Sequence, residues 1–120
     1  MTSVTVRNIA YDGTNTTYFE PVEVDHRTTG SGLNELGGVF MTFDRDGRTE
    51  PWTLRYEEVI YVVSGQLTLT VAAEGEESVV SGVEGDVITL HKGSTVRYGG
   101  TQGTRLFVSL VPVNWRQLDN

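Results

Sequence analysis

The chain has 120 residues, with nine Lys and Arg against sixteen Asp and Glu and a net charge of −7. That length makes one domain able to bury roughly two-thirds of its unfolded surface. The charge excludes a nucleic-acid partner, which needs clustered cations: Lys92 is the single lysine and the eight arginines are scattered. Cysteine is absent, which excludes disulfides, thiolate metal sites and a cysteine nucleophile. No apolar run is long enough to span a bilayer, and the first residues lack a basic start followed by an apolar stretch. A cytoplasmic protein with no membrane partner is expected.

Fourteen glycines, frequent Thr and Val, and no sustained helical period predict an all-β chain. In chain order, residues 4–9 and 18–25 read as edge strands and 26–35 as a loop. Residues 36–44 (LGGVFMTFD) read as a strand, with a turn at Asp46-Gly47. A strand at 58–63 meets a Ser64-Gly65 turn. Residues 66–72 then alternate, with Leu67, Leu69 and Val71 on one face and Gln66, Thr68 and Thr70 on the other. Glu74-Gly75 turns the chain into 78–81, and 82–85 turns it into 86–90. A turn at 91–94, a strand at 95–98, a loop at 99–103 and a strand at 104–111 ending at Pro112 complete the pattern. Short strands at this spacing are the mark of a sandwich or barrel. The acidic residues Glu74, Glu76, Glu77, Glu84 and Asp86 fall on two turns and read as solvated charge.

The stretches GGVFMTF, PWTLRYEEVIYVVSGQL, GDVITLHKGSTVRYG and LFVSLVPVNW cover most of residues 37–116. They resemble the cupin domain of the EutQ family of ethanolamine-utilisation proteins, and Glu58 and Gly65 match the E-x6-G step of the first cupin motif. The resemblance implies a single-domain cupin, a jelly-roll or double-stranded β-helix barrel over 1–120. Residues 1–35 would supply N-terminal edge strands and a loop, and 36–116 the core. It implies a homodimer paired through the N-terminal strands, and a stand-alone domain without the extension that precedes the cupin in that family. It also implies acetate kinase activity, although neither a phosphate-binding loop nor a carboxylate pair for magnesium is visible.

The metal-binding pattern of cupins is not kept. Before Glu58 the histidine positions hold Trp52 and Leu54, or Pro51 and Thr53, and the ligand slot of the second motif holds Val96. His91 sits five residues before that slot, on a turn, and reads as exposed. The only other histidine, His26, follows Asp25, and neighbours on an extended segment diverge. No metal and no cofactor are therefore expected, with a non-standard site of Glu58, a histidine and tyrosines left open.

Alternate residues share a face, so Tyr56, Glu58, Ile60 and Val62 point together, and the resemblance makes that face the barrel interior. Val96 and Tyr98 face them from the second motif, and Met41 and Phe43 from the strand at 36–44. The expected site is Glu58 with Tyr56 and Tyr98 as catalytic residues, in a substrate pocket walled by Met41, Phe43, Ile60 and Val96. Glu58 then does acid–base work on a small polar metabolite, in a lyase, isomerase or hydrolase. Two other readings stand beside it: a buried carboxylate satisfied by tyrosines or by Arg55 or Arg97, and a non-catalytic barrel that binds a small ligand or a partner. Glu57 and Tyr61 face outward, and Trp52 and Trp115 read as packing residues in the core or a dimer interface.

Overall fold

A computed structural model describes residues 6–118 as eleven strands and two short 3-10 turns. The strands are β1 (Thr16–Phe19), β2 (Val22–Asp25), β3 (Gly37–Phe43), β4 (Gly47–Arg48), β5 (Trp52–Thr53), β6 (Glu57–Ser64), β7 (Gln66–Ala73), β8 (Glu76–Val83), β9 (Val87–Leu90), β10 (Thr95–Gly100) and β11 (Arg105–Val111). They form two antiparallel sheets. One has six strands in the order β1-β2-β3-β11-β6-β9; the other runs β4-β10-β7-β8, with β5 also paired to β10. No α-helix occurs among the described residues, so none is long and apolar enough to cross a membrane.

Strict alternation sends one face of each strand into the space between the sheets. On β6 the exposed Glu57, Val59 and Tyr61 alternate with the buried Glu58, Ile60 and Val62. On β11, Leu106, Val108 and Leu110 are buried between half-buried neighbours. Leu67 and Leu69 do the same from β7, and Val96 and Tyr98 from β10. The result is one apolar core in which Glu58 is among the few buried charged residues.

Several elements depart from the sequence expectation: β4 and β5 are unanticipated two-residue strands, and β8 runs through Gly82 and Val83, where a turn is expected. Residues 18–25 are not one strand: Glu20-Pro21 turns the chain, and β1 folds back on β2 with Phe19 opposite Val22. Proline has no N–H to give a ladder, and that breaks the run. Residues 6–9 form no strand, and Val4 and Thr5 lie outside the described residues. This segment is held from outside the ladder, with Arg27 donating to the Ile9 carbonyl at 3.3 Å. Finally, β10 continues through Gly99 and Gly100, opposite Thr68 and Leu67, because glycine there leaves room for the Phe43 ring. The turns expected at Ser64-Gly65, Glu74-Gly75 and 91–94 are present, and the acidic residues around β8 are exposed.

Candidate functional site

Glu58 lies on β6 between Leu90 of β9 and Leu110 of β11, so its flanking positions on both neighbouring strands are apolar. Its side chain is 3% exposed. Burial raises its pKa from 4.5 to about 7, and the hydrogen bond from Tyr98 pulls it part of the way back. That bond runs from the Tyr98 hydroxyl to Glu58 Oε2 at 3.0 Å, across the gap between the sheets. Tyr98 is fixed by its strand. β10 is clamped by β7 on one side and by β4 and β5 on the other. Between those two short strands, Thr49 donates its backbone N–H to the Tyr98 carbonyl and accepts from the Tyr98 N–H through its hydroxyl.

Tyr56 stands beside Glu58 on the same face, and its hydroxyl accepts from Trp52 Nε1 at 3.1 Å. Burial, then the charge of Glu58, pushes Tyr56 up to about 12, and the same causes hold Tyr98 well above the usual phenol value. Both phenols are therefore neutral donors at physiological pH. Trp52 and Trp115 meet edge to face at 5.7 Å, and Trp115 rests against Tyr56 at 5.2 Å. Trp115 reaches this position because the chain turns after Pro112 into a 3-10 turn (Trp115–Gln117) that folds back over the barrel end.

These groups border a cavity of about 230 Å³ that opens to solvent. Of the residues expected at the site, Glu58, Tyr56, Tyr98 and Met41 line it. Phe43, Ile60 and Val96 are buried but do not border it: Phe43 packs against Gly100 at the far end of β10, and the other two are at most 2% exposed in the packed core. Trp52 and Trp115, read as packing residues, do pack, and they also form part of the cavity wall. His91 is on an exposed turn.

His26, weighed from sequence only as a partner of Asp25, and Arg116, not weighed at all, are both on the wall. Asp25 and His26 diverge as extended neighbours must: Asp25 pairs with Arg27 at 2.8 Å, and His26 turns inward on the side of Val24. The His26 backbone is bonded to Asn15 in both directions, and Nε2 lies 2.9 Å from the Thr17 hydroxyl. Burial and the nearby Arg116 cation lower its pKa against the opposing pull of Asp25, leaving a neutral imidazole. Arg116 sits at the cavity rim, its guanidinium 4.2 Å from the centre of the Trp115 ring. A signal for Arg116 existed only in the P-x-N-W block beside it; nothing local told His26 from a loop residue.

The match to known proteins now has a geometry to sit on. The family model described as "Ethanolamine utilisation protein EutQ" matches residues 7–117. The chain belongs to the EutQ family. Acetate kinase EutQ of Escherichia coli K12 is 35% identical over 90 residues, which are 75% of this chain and 36% of that protein, so the chain spans about a third of that relative's length. Among solved structures, an ethanolamine utilization protein Q from Salmonella typhimurium LT2 superposes with a TM-score of 0.65 at 30% identity, covering 80% of this chain and 75% of that one. Streptomyces Pac13, a nucleoside dehydratase, superposes at 0.67 with 18% identity over 88% of this chain and 83% of that one, a likeness of fold. The fold is thus a cupin of the EutQ type.

The donor set of this EutQ-family chain does not fit the three-His-one-Glu metal centre of other cupins. Tyr98 faces Glu58 and Tyr56 stands beside it, Val96 is packed in the core, and no group of three His, Cys, Asp or Glu converges among the described residues. The site is instead a single carboxyl tuned by burial and one phenol. Tyr98→Phe removes the bond that lowers the Glu58 pKa, so the Glu58 carboxyl carbon followed by NMR is expected to titrate above its wild-type value of about 7. A midpoint that stays or falls would show that the Tyr98 bond does not tune the acid.

Proposed function

We propose that this chain is a cytoplasmic enzyme of small-molecule metabolism that uses Glu58 as a proton donor and acceptor without a histidine-bound metal. The reading rests on one observation: a carboxyl with a pKa of about 7 deep in an open cavity. Such a group is present in both forms at neutral pH, the condition under which general acid–base catalysis works best. Burial and pKa perturbation together in a cleft also favour a functional carboxylate over a structural one. Tyr98, bonded to Glu58, and Tyr56, beside it, are neutral donors able to orient a substrate carbonyl or hydroxyl. Arg116 gives the rim a positive charge for an anionic end of the substrate, and neutral His26 is a second proton acceptor on the wall. Proton transfer beside a carbonyl, elimination, and hydrolysis of a small ester or lactone all fit one carboxyl of this kind.

The test is incubation of the protein in D2O with a panel of small hydroxy and keto acids, followed by proton NMR. Solvent deuterium uptake or elimination is expected, reduced by about 10²–10⁴-fold in Glu58→Gln and unchanged by a chelator. Turnover at the wild-type rate in Glu58→Gln, with altered affinity, would move the assignment to a non-catalytic binding module. Loss of activity on chelation, with a stoichiometric metal that disappears in Glu58→Ala, would replace the metal-free reading.

The name of the curated relatives favours a second reading, phosphoryl transfer between ATP and acetate. The cavity admits acetate by size, with Arg116 as its carboxylate partner. Acetyl phosphate formed from ATP, magnesium and acetate by this chain, and lost in Arg116→Gln, would establish that reading.

A further inference from the structure

We propose that the cavity takes an elongated, flat carboxylic acid, with a planar ring as its body, an enolisable carbonyl at one end and the carboxylate at the other. This rests on the acid–base reading of Glu58 and names the substrate class for it. Strand order sets the shape. Glu58 is on β6, and β11 and β3 separate it from β2, which ends at Asp25 and leads into His26. Three interstrand steps of about 4.8 Å put Glu58 and His26 about 14 Å apart along the sheet. Leu110 of β11, Val39 of β3 and Val24 of β2 line the stretch between them, where Gly37 adds no side chain. From the other sheet and the C-terminal turn come Trp52 and Trp115, and Phe19 of β1 meets Trp52 edge to face at 6.0 Å. Trp52 Nε1 is already bonded to the Tyr56 hydroxyl. The middle of the cavity is therefore walled by aliphatic and ring carbon, which fits a flat apolar body. At about 30 Å³ for a water-sized group, 230 Å³ holds about eight, roughly twice what acetate fills.

Polar groups gather at the two ends. At the inner end Tyr98 donates to Glu58 and Tyr56 stands beside them, a set suited to an enolisable carbonyl. The Glu58 carboxylate takes a proton from the carbon next to the carbonyl, and the C–H electron pair moves to the carbonyl oxygen as an enolate held by a tyrosine hydroxyl. Return of the proton from Glu58 restores both partners. At the outer end the Thr17 hydroxyl and the half-buried His26 sit together, and Arg116 lies close enough for its charge to act on both His26 and Tyr56. Arg116 is paired with no carboxylate among the described residues; its guanidinium lies over the Trp115 ring. In a chain with sixteen acidic side chains and nine basic ones, a cation left without a partner at a cavity mouth points to an anion from outside. Arginine binds a carboxylate through its planar fork. Among the described residues of the wall Arg116 is the one cation and His26 is neutral, which matches the single charge of a carboxylate better than the two of a phosphate. A 2-keto acid such as pyruvate carries carbonyl and carboxylate on adjacent carbons and cannot reach both ends.

The probe is 4-acetylbenzoate, which sets a methyl ketone, a ring and a carboxylate in line. Isothermal titration calorimetry is expected to show it binding about tenfold or more tighter than pyruvate, than 5-oxohexanoate, which has the same ends without the ring, and than acetophenone, which lacks the carboxylate. Arg116→Gln is expected to abolish the advantage over acetophenone and to leave acetophenone binding unchanged. In D2O the methyl protons of the bound ketone exchange for deuterium, and Glu58→Gln stops the exchange while 4-acetylbenzoate still binds. Binding no tighter than that of pyruvate or 5-oxohexanoate, or an advantage over acetophenone that survives Arg116→Gln, overturns the substrate class. Binding as expected, with methyl exchange that persists in Glu58→Gln, keeps the class and overturns the acid–base reading instead.

Discussion

Glu58→Gln is expected to raise the melting temperature by roughly 10 °C above the Glu58 pKa and by almost nothing near pH 4.5. In the unfolded chain the carboxyl ionises near 4.5, and in the fold near 7. Between those values the folded state holds a proton that the unfolded state has released, so stability falls as pH rises and levels off above about 7. At 1.36 kcal/mol per decade the ionised carboxylate costs up to ~3 kcal/mol. Glutamine has the shape of the protonated acid and cannot ionise, so it removes that cost. The remaining acidic residues titrate alike in both proteins, and their effect cancels in the comparison. Differential scanning calorimetry at several pH values checks it. A gain independent of pH, or a loss of stability above pH 7, would mean that Glu58 is not a desolvated acid. A residue that destabilises the fold at neutral pH supports the acid–base reading, because stability is commonly sacrificed where a site needs a strained group.

How far the sequence revealed this site follows from the range of each signal. The inward phase of Tyr56, Glu58, Ile60 and Val62 was legible because strand alternation is local and strict. Depth was not, because alternation tells inside from outside and not cavity from packed core. Ile60 and Val96 therefore share a face with the site without touching the cavity. His26, Trp115 and Arg116 come to the wall from opposite ends of the chain. His26 depends on the phase of β2 after the Pro21 turn, and the two C-terminal residues on a 3-10 turn that no period announces. Thr49 was invisible for a related reason: β4 and β5 are two residues each, too short to show alternation, yet Thr49 between them secures Tyr98.

The glycine of the cupin motif has a different reason for its identity, and Gly65→Ala is expected to be among the most damaging single changes in the chain. Gly65 has φ +83°, and an added Cβ would lie 2.6 Å from the Thr104 Cα and closer still to its hydroxyl. Thr104 cannot withdraw. It is fully buried, its hydroxyl accepts from the Gln66 N–H at 3.0 Å, and its carbonyl accepts from Phe43 at 2.9 Å. A left-handed backbone costs an alanine about 1–2 kcal/mol, and forcing atoms into a packed region adds about 1–3 kcal/mol. The sum, ~2–5 kcal/mol, lowers the melting temperature by roughly 8–20 °C. Gly75→Ala separates the two contributions, because Gly75 has φ +80° and nothing within 4 Å of an added Cβ. It should cost only the backbone share, about 1–2 kcal/mol. Equal losses at both positions would show that the β6–β7 turn shifts freely and that Thr104 imposes no constraint. Unequal losses would divide the motif between two demands: Gly65 lets the end of β6 pass close to the β10–β11 loop, and that approach sets the strand on which Glu58 is carried into the cavity.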